Sequence, residues 1–208
     1  MLSIYQLKPR FQALLRPITA ALARSGITAN TVTVVAMLIS LALGAFLFVA
    51  GPSTPALFFL LPIWMFVRMA FNAIDGMLAR EFGQKSPLGA YLNELSDVVS
   101  DAALYLPFVL AAPFGWGSVG TLIFFAAVSE MAGALGPMVG APRQYQGPMG
   151  KSDRAFLFGA LGLWLAFDGR LPEIAFWLMP AATAAIVLNI FHRIRGGLAA
   201  LKNHEQTS

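Results

Sequence analysis

Between Phe71 and Asp101 the chain carries Asn72, Asp75, Arg80, Glu81, Asn93, Glu94, Asp97 and Asp101. Their spacing is helical. Asn72, Asp75 and Ala79 stand at i, i+3 and i+7 and share one helix face. Gly89, Asn93 and Asp97 step by four, and Asn93, Glu94, Asp97 and Asp101 fall within roughly a 100° arc. Carboxylates and amide oxygens are hard ligands that suit Mg²⁺ or Mn²⁺. Asn72, Asp75, Asn93, Asp97 and Asp101 are therefore the candidate metal ligands. Mg²⁺ characteristically takes one or two carboxylates and completes its shell with water and substrate phosphates. Gly76, Ala79 and Gly89 are small enough to let a bulky ligand approach the backbone, and Arg80 offers a fixed cation to a phosphate oxygen. The residue types describe a metal-assisted phosphate site.

The elements that must position this site are membrane helices. Of the 208 residues 58% are hydrophobic and only 12% charged, with no charge between Arg24 and Arg68 or between Asp101 and Glu130. Crossing the hydrocarbon takes about 20 apolar residues in a helix. Turn-forming residues divide the chain into six expected spans: 30–50, 56–82, 86–111, 118–140, 153–168 and 173–192. Ahead of them, Ile4, Leu7, Phe11, Leu14, Ile18 and Leu22 recur at helical spacing with Lys8, Gln12 and Arg16 elsewhere on the wheel. That pattern predicts an amphipathic surface helix over 3–23, interrupted at Pro9 and Pro17. The expected architecture is thus all-α: one membrane domain over 1–208, with an interfacial helix and a six-helix transmembrane bundle over 30–200. Basic residues cluster at the termini and the second and fourth loops, against Arg170 alone on the other side, which places both termini and the phosphate site in the cytoplasm. Polar residues of the second and third spans are expected to face one another across an antiparallel helix pair. The absence of cysteine excludes disulfides and cysteine-held metals. The net charge of +4 sits mostly at span ends with no basic run interleaved with aromatics, so no nucleic acid is expected.

The run Asn72-x-x-Asp75-Gly76-x-x-Ala79-Arg80, eight residues, Gly89-x-x-x-Asn93-x-x-x-Asp97 resembles the signature of the CDP-alcohol phosphotransferases (CDP-alcohol phosphatidyltransferases). The family pattern reads Asp-x-x-Asp-Gly-x-x-Ala-Arg, eight residues, Gly-x-x-x-Asp-x-x-x-Asp, and the expected spans match it over nearly the whole chain. The resemblance implies a divalent-metal enzyme of phospholipid synthesis in which an alcohol displaces CMP from a CDP-linked alcohol. It implies that Asp75 anchors metal, that Asp97 is the general base, that Gly76, Ala79 and Gly89 line the cytidine slot, and that Arg80 meets the phosphates. Asn72 and Asn93 depart from the pattern, since an amide brings no charge. Three accounts compete: Glu94 and Asp101 supply the missing carboxylates, the site runs with one metal and uses substrate diphosphate as a ligand, or catalysis has been lost.

Lys151 and Arg154, beside a helix start that Ser152 or Asp153 can cap, form a candidate anion cradle and point to a phosphorylated acceptor such as glycerol 3-phosphate. Arg68, Glu130 and Asp101 lie at similar depth, and a buried Arg68–Glu130 pair, joined by Asp101, is expected. Gly133, Gly136, Gly159 and Gly162 suit close helix packing. The expected partners are CDP-diacylglycerol, a small hydroxyl acceptor, membrane lipids and, in a homodimer, a second copy of the chain. The expected location is a bacterial inner membrane. The rival readings are transfer from a soluble CDP-alcohol to a lipid acceptor, and a non-catalytic transporter or scaffold.

Overall fold

The computed structural model describes residues 4–207, with side-chain surroundings for 9–201. Ser3, the expected start of the surface helix, and the side chains of Ile4, Leu7, Lys8, Lys202 and His204 lie outside the described residues. The described residues form helices and turns without a strand: α1 (Ile4–Arg24), α2 (Ala29–Ala50), α3 (Leu60–Glu81), α4 (Pro87–Tyr105), α5 (Trp116–Ala134), α6 (Lys151–Asp168) and α7 (Leu178–Thr207). Short 3₁₀ turns precede α3 and α7 and follow α4 and α5.

Local chemistry sets the helix ends. The hydroxyl of Thr28 accepts from the Thr31 N–H to open α2, and Ser86 accepts from the Gly89 N–H to open α4, with Pro87 just inside. Asp153 reaches back to accept from the Gly150 N–H at 3.0 Å at the start of α6. Gly83 (φ +69°) turns the chain out of α3, and Gly169 (φ +70°) ends α6, both in the left-handed region that glycine enters without a Cβ clash.

Four stretches are long and apolar enough to cross a membrane: Ala29–Ala50, Pro55–Glu81, Trp116–Val139 and Glu173–Leu201. α4 and α6 do not qualify by composition, because α4 carries Glu94, Asp97 and Asp101 and α6 carries Lys151, Asp153, Arg154 and Asp168. Glu94, Asp97, Asp101, Lys151 and Arg154 all enter ion pairs within the bundle, whereas Asp153 and Asp168 are exposed at the two ends of α6. The expected surface helix splits its apolar residues. Leu15 is buried and Phe11 and Leu22 pack beside it against α3, whereas Leu14 and Ile18 are exposed.

The apolar interior comes in two parts. The larger joins Leu47, Phe58, Leu104, Phe108, Leu122, Phe158, Met179 and Ile186, with the rings of Tyr105 and Phe158 stacked at 3.9 Å. The smaller joins Leu15, Val32, Ile74, Met77 and Leu78. α2 is the shared support: its closest packing is against α4, where a Cβ on Gly44 would stand 2.3 Å from the Ala103 carbonyl oxygen, and it also packs on α3. α3 and α4 make no comparable contact with each other. The polar residues expected to face one another across α3 and α4 do share a cavity and ion pairs, but the two helices are held apart and lean on α2 rather than packing directly. Two facing rows of carboxylates and amides have no apolar surface to bury against one another, whereas α2 offers both of them one. Gly159 and Gly162 bring α6 onto α3 and the turn before it, while Gly133 and Gly136 instead admit the backbone of Pro142 and Gln144.

Candidate active site

Two adjoining cavities open among the polar residues. The first, of about 520 Å³, is lined by Asn30 and Thr33 of α2, by Asp75, Gly76, Ala79 and Arg80 of α3, and by Gly89, Asn93 and Glu94 of α4. The second, of about 430 Å³, is lined by Asn72, Asn93, Asp97, Arg143, Tyr145, Lys151 and Arg193. Asn93 and Arg143 line both. A smaller cavity near Gly51, Phe58 and Arg170 contains no acid.

The first cavity explains its glycines. A Cβ on Gly76 would meet the Arg80 guanidinium at 2.8 Å, so the arginine lies over that backbone. A Cβ on Gly89 would stand 2.8 Å from Asn30 Oδ1 and 3.0 Å from Ser86 Oγ. Asp75 is 6% exposed, and its Oδ2 accepts from the Thr33 hydroxyl at 2.8 Å. Thr33 also donates to the Ala29 carbonyl at 3.0 Å as the alternative rotor position. Asp97 Oδ1 accepts from Arg68 Nη2 at 3.1 Å and stands 2.5 Å from Lys151 Nζ.

Behind these residues runs a buried ion-pair network. Arg68 Nη1 donates to Asp101 Oδ1 at 2.6 Å. Arg154, 1% exposed, reaches Glu130 Oε1 at 2.8 Å and Asp101 Oδ2 at 3.4 Å, and donates to the Met149 carbonyl. Arg193 stands 3.2 Å from Glu130 Oε2 and donates to the Ser129 carbonyl. Arg143 pairs with Glu94 and reaches Glu130 at 3.5 Å. Burial opposes the charge on Arg143, but the Glu94 carboxylate and Tyr145 outweigh it, so its pKa lies above the ordinary arginine value. Its guanidinium also sits 4.3 Å from the centre of the Tyr145 ring.

Three expectations are corrected. Arg68 pairs with Asp97 and Asp101 rather than Glu130, because α6 and α7 bring Arg154 and Arg193 to Glu130 first. Asp101 has both oxygens engaged by arginines and lines neither large cavity, so it is not placed as a metal ligand. Arg154 is likewise engaged by Asp101 and Glu130 inside the bundle and lines neither large cavity; the basic residues that line the second cavity are Arg143, Lys151 and Arg193. The sequence reading missed Asn30, Thr33, Arg143 and Arg193. Asn30 and Thr33 are polar residues at the start of an otherwise apolar helix, and that was their one available signal.

The donor set fits a divalent cation of modest charge demand. Among the described residues no three Asp, Glu, His or Cys side chains gather into a metal-holding group. Two carboxylates, Asp75 and Asp97, and two amides, Asn72 and Asn93, line the adjoining cavities, and Mg²⁺ or Mn²⁺ needs no more carboxylates than that when water and phosphate complete the shell.

A profile of the CDP-alcohol phosphatidyltransferase family matches residues 26–188, and the chain belongs to that family, whose members depend on divalent metal. It is 45% identical over 181 residues to the inner membrane protein YnbA of Escherichia coli (strain K12), covering 84% of this chain and 89% of that one. It is 32% identical over 113 residues to the phosphatidylinositol phosphate synthase of Mycobacteroides abscessus, covering 54% of this chain and 49% of that one. The crystal structure of the Mycobacterium tuberculosis phosphatidylinositol phosphate synthase with CDP-DAG bound shares the fold, with a TM-score of 0.70 at 22% identity over 87% of this chain and 92% of that one. The same enzyme in complex with manganese and citrate gives the same TM-score over 88% of each chain. The protein is an integral membrane phosphatidyltransferase.

Proposed function

We propose that this enzyme transfers the phosphatidyl group of CDP-diacylglycerol to the hydroxyl of a phosphorylated polyol, such as glycerol 3-phosphate, and releases CMP. The observation that carries the reading is the pair of cavities meeting at Asn93 and Arg143, one holding Gly76, Ala79, Arg80 and Gly89, the other Arg143, Lys151 and Arg193. The first suits a nucleoside diphosphate and the second an anionic acceptor. CDP-DAG in the Mycobacterium tuberculosis synthase supports the donor.

Asn72, Asp75 and Asn93 would hold the divalent cation, with Asp97 across the site from it; when bound, the cation would neutralise diphosphate charge and make CMP a better leaving group. Arg80, which makes no ion pair among the described residues, holds a phosphate of the donor. Gly76, Ala79 and Gly89 leave the slot clear for the cytidine. Arg143 and Arg193 draw the acceptor phosphate into the second cavity. A carboxylate oxygen of Asp97 takes the proton of the attacking hydroxyl as its oxygen bonds to the phosphatidyl phosphorus and the bond to CMP breaks.

α2 to α7 cross the membrane six times, with α4 and α6 shielded by the four apolar helices. At 19 and 18 residues they are about 28 and 27 Å long, close to the hydrocarbon thickness. α1 lies along the cytoplasmic face, and both termini and both cavities open to the cytoplasm. The one-sided distribution of lysine and arginine supports this orientation.

The test is CMP release by purified protein in nanodiscs, with CDP-diacylglycerol, Mg²⁺ or Mn²⁺ and a panel of acceptors. Release with phosphorylated polyols is expected. Release only with unphosphorylated alcohols overturns the acceptor, and no release with any acceptor overturns the donor.

A further inference from the structure

The charges around the donor set are few, and most are already committed. Glu94 is held by Arg143, Asp101 by Arg68 and Arg154, and Glu130 by Arg154 and Arg193. Asp153 accepts from the Gly150 N–H at the start of α6. Neither Glu94 nor Asp101 is free to make up for the amides at Asn72 and Asn93. That leaves Asp75, whose side-chain partner is the neutral Thr33 hydroxyl, as the one carboxylate of the set outside an ion pair, with Asp97 beside it already facing two cations.

One cation of the chain is already among them. Lys151 Nζ stands 2.5 Å from Asp97 Oδ1, on a carboxylate that also accepts from Arg68. Its side chain is 30% exposed and lines the second cavity, so the ammonium is part of the site rather than of the bundle interior. A dication needs about two carboxylate charges to neutralise it, and like charges a few ångströms apart in a partly buried site repel strongly. A second dication would face Lys151 and Arg68 with no anion of the protein to offset it.

We infer that the site takes a single divalent cation per chain, held on the Asp75 side with the amide oxygens of Asn72 and Asn93, and that the Lys151 ammonium supplies the second positive charge from the Asp97 side. This rests on the proposed transferase reading and specifies how its site is charged.

The experiment titrates Mn²⁺ alone into the purified chain in nanodiscs, reading stoichiometry by equilibrium dialysis and the electronic environment by EPR. The wild type is expected to bind one Mn²⁺ per chain with the six-line spectrum of an isolated ion. Asp75→Asn is expected to weaken binding more than tenfold. Lys151→Gln is expected to bind Mn²⁺ several-fold more tightly, because a like charge has gone, while CMP release falls. A lysine that only braced the fold would leave Mn²⁺ affinity unchanged or lower it. Asn72→Asp combined with Asn93→Asp is expected to raise the count to two, with a spectrum broadened by spin coupling. Two ions per wild-type chain, or Mn²⁺ affinity unchanged or weaker in Lys151→Gln, overturns the inference. Two ions with CMP release intact sinks it and leaves the transferase reading standing. One ion with no CMP release under any acceptor sinks the transferase reading instead.

Discussion

Arg68 on α3 and Asp101 on α4 meet at 2.6 Å, with both side chains about 7% exposed, and the same guanidinium turns its other nitrogen to Asp97 one helical turn away. One arginine thus joins the structural acid of α4 to the acid that lines the second cavity. α2 supports both helices, and this contact ties them directly to each other.

Removing one partner of such a pair leaves the other charge buried and alone, at a cost of about 3–5 kcal/mol. Arg68→Met is therefore expected to lower the unfolding temperature in detergent markedly. Replacing both partners, Arg68→Met with Asp101→Leu, is expected to recover most of that loss. A double variant as unstable as the single would show that the pair's charge is not what Arg68→Met disturbs.

Asp97→Asn keeps the shape of the side chain and removes its basicity. CMP release is expected to fall by on the order of a hundredfold or more, the usual scale for loss of a general base, while the folded state survives because Asp101 still holds Arg68. Initial rates and thermal melts on the same preparation measure both.

Thr33→Val deletes the hydroxyl bonded to Asp75 in an otherwise isosteric side chain. Hydrogen bonds to charged groups are worth about 1.5–3 kcal/mol. A lower melting temperature and a several-fold loss of CMP release are expected, with Thr33→Ser close to wild type because it keeps the donor.

Gly89→Ala sets a methyl group 2.8 Å from Asn30 Oδ1 and 3.0 Å from Ser86 Oγ. These neighbours line the first cavity, so a raised KM for the CDP-linked donor is expected, with KM for the acceptor unchanged. An equal effect on both substrates would argue against separate slots.

The pair between Arg16 and Glu81, which ties α1 to the end of α3, lies at the surface. Exposed pairs of this kind contribute little and are screened by salt. Glu81→Gln is expected to leave both the melting temperature and CMP release unchanged, and serves as a control for the buried substitutions above.

The metal-ligand types and the helical spacing from Asn72 to Asp97 were legible because period alone puts such residues on shared faces, whatever the tertiary arrangement. Helix ends were legible at Ser86, Gly83 and Gly169 for the same local reason. Pairing between helices was not. Arg68 and Glu130 sit at matching depth, and depth is all that a linear reading can supply; which arginine reaches Glu130 depends on how α6 and α7 pack around α5. Arg143 was hidden among ordinary loop basics, and Thr33 inside an apolar span, because each acquires its role only from a partner brought in from another helix. The two asparagines could be seen to lower the charge, but that Glu94 and Asp101 are both already paired with arginines depends on how the helices pack.

The position of Glu130 bears on how the chain is made. It belongs to α5, yet its partners Arg154 and Arg193 come from α6 and α7. Both arginines follow Glu130 in the chain, so these ion pairs form only as α6 and then α7 pack around α5. The full set of partners around this carboxylate is therefore complete only when the last helix docks.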